Sequence, residues 1–192
     1  MRQVLIMTLC GFTLPTSALC QTSNHPIPIE ATAQINGSII TVDVKMELDE
    51  DIDFVWSVIT DYQNAATYIS NLVISQEESL SDNTKRVTQI GKVGWGIFSS
   101  TVKTVYIVKL NPIAKTLVGS LQEGDVQSML MKSSLQSNGP KHTKLLYSVE
   151  IKPAFYVPKN IAKGMLLSNT RQSFIDLAEE IKRRGIQKVS AQ

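Results

Sequence analysis

Residues 39–60 read IITVDVKMELDEDIDFVWSVIT, and the hydrophobic period changes once within them. From Ile40 to Leu48 the apolar residues Ile40, Val42, Val44, Met46 and Leu48 alternate with Thr41, Asp43, Lys45 and Glu47. Successive side chains of a strand point to opposite faces, so this alternation predicts a strand with one buried and one wet face. From Ile52 the spacing becomes i, i+3, i+4, i+7 through Val55, Trp56 and Ile59, which predicts a helix with one apolar stripe. Asp49, Glu50, Asp51 and Asp53 crowd the junction. Anions there complement the helix dipole, and Asp49 or Asp51 can cap the first turn.

Working outward, residues 30–48 (EATAQINGSIITVDVKMEL) hold two extended runs joined by Asn36-Gly37, a pair suited to a type I′ hairpin turn. On the other side, residues 57–70 read SVITDYQNAATYIS. Thr60, Asp61, Gln63 and Asn64 break the apolar period and can bond local backbone, so the helix ends near Thr60. A further short helical turn is expected around Ala65 to Tyr68.

From Asn71 to Pro153 the pattern is all strand. Six runs (NLVISQEE, TKRVTQIGK, IFSSTVKTVYIVKL, TLVGSLQE, VQSMLMKSSLQS and TKLLYSVEIK) are separated by turn signals such as Asn111-Pro112 and Asn138-Gly139-Pro140. Short links imply an antiparallel meander. Parity places Phe98, Val102, Tyr106, Val108 and Leu110 on one face, with Met129, Met131 and Leu135, then Leu145, Tyr147, Val149 and Ile151, on later strands. A long helix follows, with Pro158 in its first turn and a stripe of Ile161, Met165, Phe174, Ala178 and Ile181, flanked by Leu166, Leu167 and Leu177. Lys182, Arg183 and Arg184 complement the dipole before Gly185, the expected stop.

Residues 1–20, MRQVLIMTLCGFTLPTSALC, have a basic Arg2, an apolar run from Val4 to Leu14 and then small residues, the pattern of a secretory signal. The run is too short to span a bilayer. The expected organisation is a leader over 1–20, a linker over 21–28, one domain over 29–187 and a tail over 188–192, with the protein exported to the periplasm or secreted. Both cysteines, Cys10 and Cys20, lie in the leader, so the domain is expected to stand on packing, without disulfides or thiol chemistry. Without Arg2 the chain has 18 basic and 17 acidic residues, a balance that does not point to nucleic acid.

A hairpin, short helices, about six antiparallel strands and a closing helix: in this order the chain resembles the helix-grip fold of the START-like (SRPBCC) superfamily. It is most similar to the bacterial coenzyme-Q-binding START and polyketide cyclase/dehydrase branch. Members typically carry a helix closing on Asp-Tyr or Asp-Phe, an aromatic a few residues on, and Ile-Pro. Val55 to Tyr62 and Tyr68-Ile69 match, with Ser70 in the proline's place. The resemblance covers residues 39 to 184. It implies an α+β domain: a curved antiparallel sheet of six to seven strands wrapped on the C-terminal helix, with two short helices after the first strand.

A sheet curved around one helix leaves an apolar cavity wherever inward residues do not fill it, and such cavities are ligand sites. The candidate lining is Tyr68, Phe98, Tyr106, Met129, Met131, Tyr147, Met165 and Phe174; the methionines adapt to varied shapes. Trp95, between glycines at a hairpin tip, is a candidate gate or transient membrane contact. Arg171 on the last helix is a candidate anchor for a ligand carboxylate or phosphate. For catalysis the sequence offers only His142 beside a turn and Asp125 at inward parity. It shows no metal-ligand cluster, nucleophile arrangement or phosphate loop. The expectation is an exported module that binds a hydrophobic small molecule or lipid, with lipid or quinone transport as its role and no cofactor or metal. The alternatives are a cyclase or dehydratase on a polycyclic or lipid substrate, and a protein-interaction module.

Overall fold

The computed structural model describes residues 28–95, 98–154 and 158–190. The expected leader, and the expected linker up to residue 27, lie outside the described residues. Two strands open the fold, β1 (Ile29–Asn36) and β2 (Ile39–Leu48), paired in register from Ile29 opposite Met46 to Asn36 opposite Ile39. The turn is displaced by one residue from expectation. Its central pair is Gly37-Ser38, and only Gly37 has a positive φ, at 61°. Glycine in the first central place is the II′ arrangement rather than I′.

β2 buries every second residue, as its period requires: Val42 and Met46 are fully buried while Asp43 and Lys45 keep partial exposure. The chain then enters helix α1 (Ile52–Ile59), capped by Asp51, whose carboxylate accepts from the backbone N–H groups of Asp53 at 2.8 Å and Phe54 at 3.3 Å. A single 3-10 turn follows at Ala65–Thr67. The short helices thus come after the second strand, because β1 is a full strand in its own right.

The meander consists of β3 (Leu72–Ser81), β4 (Thr84–Trp95), β5 (Phe98–Asn111), β6 (Thr116–Gly124), β7 (Val126–Ser137) and β8 (Thr143–Pro153). All neighbours are antiparallel in one sheet of eight strands, ordered β1-β2-β8-β7-β6-β5-β4-β3. The expected six to seven strands become eight because β1 pairs along its whole length. Register shifts at Leu72/Ile74, Val105/Tyr106 and Val126/Ser128 are the bulges that let so long a sheet curl.

The last element, α2 (Lys159–Ser190), packs on β1, β2 and β4. Pro158 precedes it and its carbonyl accepts the first helical bonds, from Ile161 and Ala162. Two expectations fail here. Ile161 is exposed, and the buried face runs through Ala162, Phe174, Ala178 and Ile181. Nor does the helix stop at Gly185: it continues to Ser190, through most of the expected tail. Gly185 is buried, and a Cβ there would meet the Glu50 carboxylate ahead of α1, so this glycine serves a close approach rather than a cap.

Replacing Met46 by Ala is expected to lower the unfolding free energy by about 2–4 kcal/mol, the cost of a cavity at a fully buried site. Lys45→Ala, one residue away on the wet face, is expected to stay within about 0.5 kcal/mol. Urea denaturation of the two variants checks the inward parity of β2.

Candidate functional site

The interior contains two clusters. The larger joins inward residues of β2 and β8 (Val42, Val44, Met46, Leu145, Val149) to Val55 of α1 and Phe174, Ala178 and Ile181 of α2. The smaller comprises Tyr62, Val87, Tyr106, Val108 and Leu117. Trp56, Ile59, Met129 and Met131 touch both. The seam between them is not filled. It holds a cavity of about 230 Å³, walled by Tyr106, Leu117, Met131 and Tyr147 from the sheet, Phe174 and Leu177 from α2, and Tyr62 and Tyr68 from the connection after α1. A second cavity of about 160 Å³ lies further along the same strands and helix, between Val102, Met129 and Ile151 and the α2 residues Met165, Leu166 and Asn169. Its wall is almost wholly apolar.

The connection 60–72 is fixed by polar contacts at both ends. Asp61 accepts from Arg184 Nη1 at 2.9 Å, and the same guanidinium donates through Nε to the buried Glu180 at 2.6 Å and lies 5.5 Å from the centre of the Tyr68 ring. The Tyr62 carbonyl accepts from Ser75 Oγ at 2.6 Å, and Gln89 Nε2 donates to that hydroxyl in turn. Ser70 donates its N–H and hydroxyl to Asp176 Oδ2 at 2.7 and 2.6 Å. Asn71 donates to the Asn169 carbonyl and accepts from Ser173. The Asp-Tyr stretch therefore ends one helix and ties the sheet's β3 edge to another.

Inside, Tyr62 and Tyr106 meet edge to face with ring centres 6.4 Å apart, and Tyr147 lies against Phe174 at 4.9 Å, bridging sheet and helix. Met131 reaches over Gly119 of β6: a Cβ on that residue would stand 2.5 Å from the Met131 methyl and 3.5 Å from the Tyr106 ring. Among the described residues the hydroxyls of Tyr62, Tyr106 and Tyr147 make no hydrogen bond, whereas Tyr68 has a long contact, 3.5 Å, to the Val58 carbonyl; the buried side-chain atoms left without a partner are Glu47 Oε2 and Asn169 Nδ2. Burial raises all three interior phenols above their ordinary range, and it is the only cause at Tyr147. Tyr68 is pushed up to about 12, chiefly by burial, with Arg184 opposing. These groups stay neutral near pH 7, each able to donate and to accept.

Of the residues proposed from sequence, Tyr68, Tyr106, Met131, Tyr147 and Phe174 meet at the larger cavity, and Met129 and Met165 at the smaller. The side chains of Trp95 and Phe98 lie outside the described residues, although their backbones pair at the ends of β4 and β5. Arg171 is a correction: it is exposed and borders a surface cleft with Ile29 and Glu30. It stands two residues from both Asn169 and Ser173, about 200° around a helix from the face that meets the cavities. Asp125 is also turned to other use, accepting from the Lys103 N–H at 2.7 Å at an exposed position. His142 sits on the surface with Asp49 3.0 Å from its Nδ1 and Glu47 3.6 Å from its Nε2. Tyr62, Gln89 and Ser133 also line the larger cavity. Parity points Gln89 and Ser133 inward, but their polarity hides them from a search for apolar rows.

No family model and no curated protein sequence matches the chain. Solved structures do. The Zhui aromatase/cyclase from Streptomyces sp. R1128 superposes with a TM-score of 0.66 at 14% identity, covering 76% of this chain and 95% of that one. A START superfamily protein from Mycobacterium smegmatis gives 0.65 at 13%, covering 74% and 97%. A STAR-related lipid transfer protein from Xanthomonas axonopodis gives 0.61 at 11%, covering 82% and 99%. At these identities the likeness is one of fold, and the fold is the START-like helix grip expected from the order of elements.

The polar anchor of this site has a pH signature. Hydrogen bonds from Arg183 and then Arg184 hold the Glu180 carboxyl down at about 2, against 4.5 ordinarily, with burial opposing them. A depressed carboxylate stabilises the fold above its unfolded value and loses that contribution as pH falls through the folded one. Stability is thus expected to drop between about pH 5 and pH 2. Glu180→Gln should flatten that slope and cost on the order of 2 kcal/mol at neutral pH, measured by thermal or urea unfolding across pH.

Proposed function

We propose, with the START-like helix-grip fold as premise, that this chain is a binding protein that holds a hydrophobic or lipid-like small molecule in the seam between its two clusters. The observation that carries this is the larger cavity, lined by three phenols whose hydroxyls make no hydrogen bond among the described residues, beside a second cavity whose wall is almost wholly apolar. A ligand oxygen can take the hydrogen bonds these hydroxyls leave open, and apolar surface rewards a ligand's body. Shielding such a molecule from water, and passing it between membranes through transient contact, fits the lipid-transfer protein among the similar structures. The leader-like residues 1–20 support export to the periplasm or beyond.

The cyclase or dehydratase alternative has one supporting feature: a neutral phenol can donate to a substrate carbonyl. It lacks a convergent base. Among the described residues, no histidine or lysine lines either cavity, and the one carboxylate, Asp61, is occupied by Arg184. An interaction module without a ligand fits less well, since the interior is not filled.

Native mass spectrometry of the protein purified from its own host, followed by organic extraction, tests the binding reading. A stoichiometric apolar molecule is the expected result; a protein that is empty and takes up no hydrophobic dye contradicts it. Ser133→Phe, which places a ring in the larger cavity, is expected to weaken dye binding by about tenfold or more while leaving the folded state intact by circular dichroism.

A further inference from the structure

The two lobes differ in polarity, but among the described residues they share the absence of free charge. Arg184 is engaged by Asp61 at 2.9 Å and Glu180 at 2.6 Å. Lys85, 5.9 Å from the centre of the Tyr62 ring, gives its ammonium to both oxygens of Glu77 at 2.9 Å and to the Thr60 carbonyl at 3.1 Å. Arg171 stands on the far side of α2. No lysine, arginine or histidine among the described residues lines either lobe.

An anion brought into this space would meet three phenol donors but no countercharge. The same burial that raises the phenols' own ionisation, unopposed by any cation at Tyr147, acts on a ligand carboxylate or phosphate. A neutral carbonyl or hydroxyl pays far less and finds the same donors. Size adds a second constraint. Each lobe, at about 230 and 160 Å³, is smaller than the roughly 300 Å³ at which ordinary ligand pockets begin, so a ligand of usual size would have to draw on both, with the methionines between them moving aside. Met129 faces the smaller lobe and Met131 the larger, and an unbranched thioether rearranges at low cost.

We propose that the site selects an uncharged amphiphile, with a neutral oxygen head on Tyr62, Tyr106 and Tyr147 and a hydrocarbon body extending past the two methionines into the second lobe, and that it discriminates against ionised lipids. The proposal rests on the binding reading above and narrows it to a ligand class.

The test uses the delipidated full chain loaded with Nile red, a neutral dye, titrated with two competitors of equal chain length, 2-dodecanone and dodecanoate, at about pH 8 where the acid is ionised. The ketone is expected to displace the dye at least about tenfold more tightly than the carboxylate. The double variant Tyr106→Phe/Tyr147→Phe, which removes two hydroxyls that make no hydrogen bond among the described residues, should fold as the parent does and narrow the gap about threefold or more by weakening the ketone alone. Equal or tighter binding of dodecanoate overturns the charge selectivity and leaves the binding reading standing. A ketone affinity unmoved by the double variant overturns the phenol anchor. A protein that takes up neither the dye nor the ketone overturns both readings.

Discussion

Helix α2 is held at both edges of one sheet, and the interior follows from that. On one side it packs on β1 and β2; on the other, Asp176 receives two hydrogen bonds from Ser70, and Asn169 and Ser173 bond Asn71 at the entry to β3. A helix fixed at two edges of a curved sheet cannot settle onto the middle of it. The side chains between must fill the gap or leave it open, and here two clusters form with an unfilled seam, closed across its width by Tyr147 against Phe174.

The polar chemistry is divided accordingly. The charges near the seam are paired with one another at its rim, where Arg184 serves Asp61 and Glu180 and Lys85 serves Glu77. The interior keeps neutral donors. A charged group inside would need a partner there to offset its loss of water, whereas a neutral phenol can take up a ligand oxygen without one. Stability thus comes from the rim and the two clusters, and the seam is left to binding.

The period-2 run at Ile40–Leu48, its switch to helical spacing at Ile52 and the inward rows of β5, β7 and β8 were legible because they repeat with the period of their own backbone. Those rows also named Tyr106, Met129, Met131 and Tyr147 as lining. Arg171 was misplaced because its helix is long and its apolar stripe broad, so that orientation depended on which turn meets the sheet's edge, a tertiary fact. Gly185 was misread as a stop for the same reason: its role is set by Glu50, far away in sequence. Tyr62 follows a polar helix exit, and its neighbour Tyr106 and the bond from Ser75 to its carbonyl hold its ring inside. The first run of the hairpin was legible too, and its pairing with β2 adds it to the sheet as an eighth strand.

The most direct measurement is a high-resolution crystal structure of the protein as purified from its own host. The expected result is continuous density through both lobes, with a ligand oxygen within about 3 Å of the hydroxyl of Tyr62, Tyr106 or Tyr147. A structure in which Met129 and Met131 fill the seam and the phenols bond to protein groups would contradict the claim that this interior is built to be occupied.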